Sequence, residues 1–168
     1  FVNDWILSQG SGSEEGFVSG LNYCLFWKDD GESLARYQGT NAWGRYGIAV
    51  ASVSSLTTNI YLGKKFTSEV GALIPKKSEY LLPIFMFCKS ELYRKYIKKI
   101  DNKVAVTIGT LTKVPFDIDY WTKEADKYYP NGLPELNTDD PTQWLFEGEP
   151  ANSTEPLQVA VARLLGYK

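Results

Sequence analysis

The chain has 168 residues, of which 43% are hydrophobic and 23% charged, a composition typical of one folded globular domain. No run approaches the roughly 18 apolar residues of a membrane span, and the first residues lack the pattern of a signal peptide. The absence of histidine excludes His-based acid–base catalysis and most zinc sites within this chain. Because the chain begins with Phe1 instead of Met, we expect a processed end or a piece of a larger protein.

The net charge of −2 conceals an uneven distribution along the chain. Residues 1–59 carry 3 basic and 6 acidic side chains, residues 60–113 carry 11 and 4, and residues 114–168 carry 4 and 10. A middle section this basic indicates a surface for a polyanion. Lysines that merely solvate a surface would give the same counts, so charge alone leaves both interpretations open.

The first third of the chain predicts a loop and then a sheet. Residues 8–16 (SQGSGSEEG) are small and polar, which favours a loop, and we expect residues 1–20 to lead into the domain. Short apolar runs bounded by turn residues then predict four β segments, the first of them a buried strand, with GKKFTS as a turn. The four segments are residues 21–28, 45–53, 58–62 and 69–75.

Two helices follow. Residues 79–88 are apolar nearly all round, which predicts a buried helix that begins close to Pro83. Ser90 is a plausible N-cap for a second, amphipathic helix at 91–100. Its polar face carries four cations, and Glu91 can reach Lys95 at i+4 spacing. The cations of this stripe are Arg94, Lys95, Lys98 and Lys99.

Residues 103–117 (KVAVTIGTLTKVPFD) alternate like a strand but contain a Thr-Ile-Gly-Thr interruption. We predict two short β pieces, 104–108 and 111–116, hinged at Gly109. The bend at 107–110 is then displayed at the surface, with Lys103 and Lys113 beside it.

The acidic last part predicts a short helix that ends at residues 130–132, then a loop and a final helix at 156–166. The fold class is therefore α+β: a small, mostly antiparallel sheet with a helical pair and a C-terminal helix. We expect three regions: the leading loop at 1–20, a recognition domain at 21–121 and a C-terminal extension at 122–168.

Both cysteines, Cys24 and Cys88, lie in apolar stretches, so we expect buried free thiols and a reducing, cytoplasmic setting. Catalytic motifs are missing: the chain has no Gly-x-Ser-x-Gly, no Ser-x-x-Lys and no complete P-loop. The acids between residues 117 and 126 are the candidates for a metal-dependent nuclease. They are Asp117, Asp119, Glu124 and Asp126.

From about residue 21 onward, several stretches resemble a known family in their residues and in the order in which they follow one another. They are AWGRYGIAV (42–50), IYLGKKFTSEVGALIP (60–75), IFMFCKSELYRKYIKKIDNKVAVTIGTLTKVPFDIDYW (84–121) and DDPTQWLFEGEP with EPLQVAVARLLGY (139–167). Together they resemble the region after the catalytic domain in large adenine-N6 DNA methylases of restriction-modification and phage-defence systems. That region is the target recognition domain, in which a small β structure with helices binds the DNA major groove.

Two elements of the methylase family are absent. The Asn-Pro-Pro-Tyr signature, which holds the flipped adenine, does not occur, and no two prolines are adjacent. The glycine-rich strand-to-helix turn that binds S-adenosylmethionine is also missing, because GSG near the start follows no predicted strand. The resemblance therefore implies a recognition domain without its catalytic domain. This chain would hold no cofactor, and S-adenosylmethionine would bind to the methyltransferase domain of the parent protein.

The resemblance implies double-stranded DNA as the partner, and the missing methyltransferase domain as a second one. The candidate phosphate contacts are Arg45, Lys64, Lys65, Lys98, Lys99, Lys103 and Lys113. The candidate base readers or positioning residues are Ser52, Ser54, Asn59, Thr107 and Thr110. Trp43 and Tyr61 can stack on bases, although a place in the core is favoured for both. A protein-interaction module and a small metal-dependent nuclease stay open as alternatives.

Overall fold

The computed structural model describes residues 5–14, 16–32, 38–53 and 55–133, together with residues 157, 160 and 161. Within these residues there are two three-stranded sheets and three α-helices, which confirms the α+β class. The strands are β1 (Trp5–Gln9), β2 (Tyr23–Phe26), β3 (Gly47–Ala51), β4 (Thr58–Tyr61), β5 (Lys65–Phe66) and β6 (Val70–Leu73). The helices are α1 (Leu81–Lys89), α2 (Glu91–Ile100) and α3 (Ile118–Tyr128).

The antiparallel sheet, in the order β4-β3-β6, is formed by three of the predicted strands. In its register Val50 of β3 lies between Thr58 of β4 and Gly71 of β6. Every residue of β3 and β4 is buried. A strand buried on both faces reads as a continuous apolar run, as the Gly-Ile-Ala-Val-Ala sequence of β3 does.

The second sheet, in the order β2-β1-β5, differs from the sequence prediction. β1 pairs antiparallel with β2 and parallel with β5. The expected loop at 8–16 was wrong for Ser8 and Gln9, which belong to β1 and are fully buried. GKKFTS contains β5 instead of being only a turn. The polar residues at the end of β1 did not indicate a buried strand. Gln9 can be buried because backbone groups distant in the sequence form hydrogen bonds with its side chain.

β2 was correctly predicted as a strand but wrongly as a buried one. Most of its residues are exposed, because it lies at the edge of its sheet. Cys24 is accordingly an exposed free thiol, whereas Cys88 is buried as expected. Burial raises the pKa of the Cys88 thiol to about 12, so this side chain is an uncharged part of the core.

The helical pair follows the sequence prediction. Pro83 occupies the first turn of α1, where a missing backbone N–H leaves no helical hydrogen bond unmade. Ser90 caps α2: its Oγ accepts a hydrogen bond from the Tyr93 amide at 3.2 Å. Tyr93 and Ile97 are the buried residues of α2, and the Tyr93 hydroxyl donates to the carbonyl of Leu111 at 3.0 Å. One hydrophobic cluster joins the central strands to these helices and includes Val50, Ile60, Phe85, Tyr93, Ile97 and Leu111.

The segment at 103–117 does not form the two predicted β pieces. Among the described residues, the segment forms a single β-bridge, between Ala105 and Val53, which lies just after β3. Residues Ile108–Thr110 form a 3-10 turn, and the amides of Thr110 and Leu111 donate to carbonyls three residues earlier. These local bonds use the groups that a ladder would need, and Val104 is 81% exposed instead of packing inward.

The acidic segment forms α3, capped by Asp117, whose Oδ1 accepts from the Tyr120 amide at 3.0 Å. The helix runs across residue 121, where we expected the recognition domain to end. Leu157, Ala160 and Val161 are helical and exposed, and the other residues of the predicted loop and final helix lie outside the described residues. Among the helices described, none has the length and hydropathy that a membrane crossing requires.

Candidate nucleic-acid interface

Four of the seven predicted phosphate contacts lie near the two ends of β3. Arg45, Lys64 and Lys65 lie near its first residue, because the Gly44 amide donates to the carbonyl of Gly63 at 2.8 Å and joins the two loops. Lys103 lies near its last residue, where the Val106 amide donates to the carbonyl of Ser52 at 2.7 Å. The five residues of β3 separate the two groups by about 13 Å of strand.

Of the first group, Arg45 and Lys64 are exposed, but Lys65 is half-buried by two tryptophan rings. Its Nζ lies 3.4 Å from the ring centroid of Trp43 and 4.7 Å from that of Trp27. Burial lowers the pKa of Lys65, and the nearby Asp30 opposes that shift. Lys65 is therefore engaged in a cation–π cluster, and a phosphate would have to compete with the rings.

The second group lies on both sides of Asp101 in the sequence, and Asp101 is the residue that follows α2. Its carboxylate accepts hydrogen bonds from the amide of Lys103 at 3.3 Å and from the amide of Thr107 at 3.0 Å. The bond from the Thr107 amide is the main reason that the pKa of Asp101 is lowered. We call the four exposed residues around it the Asp101 cluster. They are Lys98, Lys99, Lys103 and Thr107.

The basic face of α2 is only partly neutralised. Glu91 pairs with Arg94 at 2.7 Å, not with Lys95 as expected, and Arg94 also reaches Glu14 at 2.7 Å. Arg94 thus connects α2 to the N-terminal loop. Lys95, Lys98 and Lys99 are exposed, and no carboxylate among the described residues forms an ion pair with them. The C-terminal turn of α2 therefore carries unneutralised positive charge within the described part of the chain.

Three of the five predicted base readers are buried. Ser52 Oγ donates to the carbonyl of Glu69 at 3.0 Å, and Asn59 Nδ2 donates to the carbonyl of Ser13 at 3.0 Å. Thr110 is buried in the turn that follows Thr107. These positions correct the sequence interpretation: all three side chains are buried, and those of Ser52 and Asn59 already donate to backbone carbonyls. Ser54 lies outside the described residues, which leaves Thr107 as the exposed candidate.

The other predicted positions are dispersed or buried. Lys113 is exposed after the 3-10 turn, and no described contact joins its side chain to the Asp101 cluster. Tyr61 is fully buried, which confirms its place in the core, and burial raises its pKa to about 12. Trp43 is half-buried against Trp27, with the two ring centroids 5.4 Å apart.

The glycine-rich segment at 10–12 does follow a strand, β1, contrary to the sequence interpretation. The next regular element is β2, so the strand-to-helix turn of a nucleotide site is not formed. A Cβ on Gly12 would lie 2.3 Å from Asn59 Oδ1, and one on Gly20 would lie 2.3 Å from the Gly10 carbonyl. The glycines therefore permit close packing onto β4 and leave no room for a phosphate.

The carboxylates considered for a nuclease are on or beside α3. Asp117 is the cap of that helix, and Asp119 lies in its first turn. Among residues 5–14, 16–32, 38–53 and 55–133, no group of three or more His, Cys, Asp or Glu side chains is arranged to hold a metal ion.

An open groove between α2 and α3 was not predicted from the sequence. It has a volume of about 340 Å³. Leu92 and Tyr96 line it from α2, and Phe116, Asp117, Tyr120 and Trp121 line it from the start of α3. The spacing of Leu92 and Tyr96 places both on the apolar face of the amphipathic helix α2. Leu92 is exposed, so part of that face borders solvent. We call this feature the α2–α3 groove.

No family model matches the chain, and no curated protein matches it.

Proposed function

We propose that this chain is a double-stranded DNA recognition module of a site-specific adenine-N6 DNA methyltransferase of the restriction-modification type. The observation that carries the proposal is the Asp101 cluster: the amides of the exposed Lys103 and Thr107 both bind the Asp101 carboxylate, and the exposed Lys98 and Lys99 precede Asp101 in the last turn of α2. The resemblance of residues 42–50, 60–75 and 84–121 to target recognition domains supports it independently.

The charge of this surface suits a phosphate backbone. Three lysines lie within six residues of the chain, and Asp101 is the acid closest to them in sequence. Its carboxylate is occupied by two backbone amides, so it holds the loop in shape more than it neutralises a neighbouring ammonium group. Lysines without an internal ion pair can neutralise the phosphates of DNA. This releases the counterions condensed on the DNA, so the binding affinity depends on the salt concentration.

The exposure of each side chain decides which role we assign to it in DNA binding. We assign sequence-independent attraction to five exposed cations, and we assign the contact with a base edge to the exposed Thr107. The cations are Lys98, Lys99, Lys103, Arg45 and Lys64. In this proposal the methyltransferase domain of the parent binds S-adenosylmethionine and methylates the adenine. The free thiols Cys24 and Cys88 are compatible with a parent that works in the reducing cytoplasm.

The test is the salt dependence of binding to a labelled DNA duplex, measured by fluorescence anisotropy. The variant carries Lys98→Ala, Lys99→Ala and Lys103→Ala. The slope of log K against log salt should fall by about 0.9 for each lost phosphate contact. Affinity should fall for all duplex sequences alike.

A control variant loses the same charge elsewhere: Lys76→Ala, Lys123→Ala and Lys127→Ala remove three exposed lysines outside the Asp101 cluster. This control should keep the wild-type slope. An unchanged slope in the first variant removes the cluster from the interface. Absence of duplex binding by the unaltered chain at low salt overturns the proposed function.

A further inference from the structure

The α2–α3 groove has walls of aromatic rings that remain accessible to solvent. Tyr120 is 52% exposed, and its ring stands edge-to-face against Trp121 with centroids 5.3 Å apart. Trp121 in turn packs against the buried Phe87 at 5.5 Å. The outer rings are therefore held by the core, while their outer faces stay free for a flat ligand.

One charged side chain, that of Asp117, lines the groove, and Lys99 lies beyond its lining on α2. Lys99 follows Tyr96 by three residues on α2, so it lies about 4.5 Å further along the helix axis on nearly the same side. Asp117 lines the opposite wall and has used one carboxylate oxygen to cap α3. The groove thus offers ring faces and an acceptor oxygen, and the Lys99 ammonium group follows beyond its lining, about one helical turn after Tyr96 on α2.

From this combination we infer that the α2–α3 groove binds one unstacked nucleobase of a DNA strand whose phosphates contact Lys99 and the rest of the Asp101 cluster. This inference rests on the proposed DNA-binding function and deepens it. Each feature has a partner in a nucleotide: the base stacks on an aromatic ring, its exocyclic amine donates to Asp117, and its phosphate pairs with Lys99.

Size and charge favour this occupant over an apolar peptide. A volume of about 340 Å³ is at the small end of ligand sites, so it suits one ring system more than a docked helix. A purely apolar partner would bury the free acceptor of Asp117 without a donor, which is unfavourable. It would also offer no negative charge to the ammonium groups of Lys95 and Lys99.

The experiment compares labelled duplexes that are identical except for one bulged adenine. The unaltered chain should bind the bulged duplex about tenfold more tightly than the perfect one, because the extruded base is already unstacked. Tyr120→Ala should abolish this preference while leaving affinity for the perfect duplex within about twofold. Tyr120→Leu, which keeps apolar packing without a ring face, should have the same effect and guards against a folding defect.

Tyr128→Ala is the matched control: Tyr128 is on the same helix and 59% exposed, but it does not line the groove, so the preference should persist. A second comparison uses a bulged thymine, which has no exocyclic amine. The preference for adenine over thymine should disappear in Asp117→Ser, which keeps a capping oxygen but loses the carboxylate.

The outcomes separate the two proposals. Equal binding of perfect and bulged duplexes overturns the nucleobase site but leaves the proposed function standing. A preference that survives both Tyr120 variants places the base elsewhere and also overturns the inference. If the unaltered chain binds neither duplex, the proposed function itself fails.

Discussion

Gln9 of β1 donates a hydrogen bond from Nε2 to the carbonyl of Ile60 of β4 at 2.9 Å, and this buried bond joins the two sheets. The same amide donates to the carbonyl of Ser19 at 3.1 Å, and its Oε1 accepts from the amide of Leu62 at 3.2 Å. One fully buried side chain therefore satisfies three backbone groups from two different segments. Gln9 and Asn59 together attach the loop that follows β1 to the antiparallel sheet.

Replacing Gln9 with alanine should destabilise the fold by about 3 kcal/mol, because buried donors and acceptors lose their partners. The measurement is the free energy of unfolding in urea. Gln38→Ala is the matched control, since Gln38 is exposed and its loss should change stability by no more than about 0.5 kcal/mol. Equal effects of the two substitutions would show that the Gln9 network does not stabilise the folded state.

Arg94→Met should cost about 1 kcal/mol. The change keeps the aliphatic stem but removes the two ion pairs and the bond from Nε to the Ser55 carbonyl. The estimate is low because the Arg94 side chain is 24% exposed and its partners are more so, so solvent screens the pairs. The cost should shrink at high salt. Lys95→Met, which changes an exposed neighbour, should be close to neutral.

Asp101 gives a pH-dependent prediction. Its pKa is lowered in the folded state, chiefly by the hydrogen bond from the Thr107 amide, so the folded chain binds fewer protons than the unfolded chain. The stabilisation is full above the ordinary carboxyl pKa of about 4 and is lost as the pH falls through the lower folded value.

The stability difference between the unaltered chain and Asp101→Asn should accordingly be largest near neutral pH and shrink in acid. Urea unfolding at a series of pH values measures it. Asp126→Asn, on the exposed side of α3, controls for the loss of a carboxylate. A difference that stays constant with pH would contradict the assigned role of the Asp101 carboxylate.

Thr107→Val should relax the DNA sequence preference at one base pair by about 1 to 3 kcal/mol if Thr107 contacts a base edge. Competition binding with a library of duplexes gives the preference at each position. Thr112→Val, at an exposed threonine in the same segment, should leave it unchanged. A uniform loss of affinity for every duplex would make Thr107 a positioning residue.

Local patterns in the sequence were enough to predict seven of the nine described α-helices and strands. β3, β4 and β6 fall within the predicted segments 45–53, 58–62 and 69–75, and the three helices form where residues 79–88, residues 91–100 and the acidic segment predicted them. For α2 the prediction extended to its cap, because the Ser90 hydroxyl and the Tyr93 amide are neighbours in the chain. β2 was also recognised as a strand, but its exposure depends on a position at the sheet edge that no local pattern contains.

Long-range contacts explain what the sequence did not reveal. β1 is a strand because residues 23–26 and 65–66 pair with it, and Gln9 is buried because carbonyls and amides 10 to 53 residues away meet its amide group. Long-range hydrogen bonds also exclude Ser52 and Asn59 from the candidate site. The sequence shows that a polar side chain can form hydrogen bonds, but it does not show which group is its partner. Composition and local pattern thus determined the charge, the central strands and the helices. The tertiary fold determined which polar groups are satisfied internally and which, such as the lysines of the Asp101 cluster, face solvent.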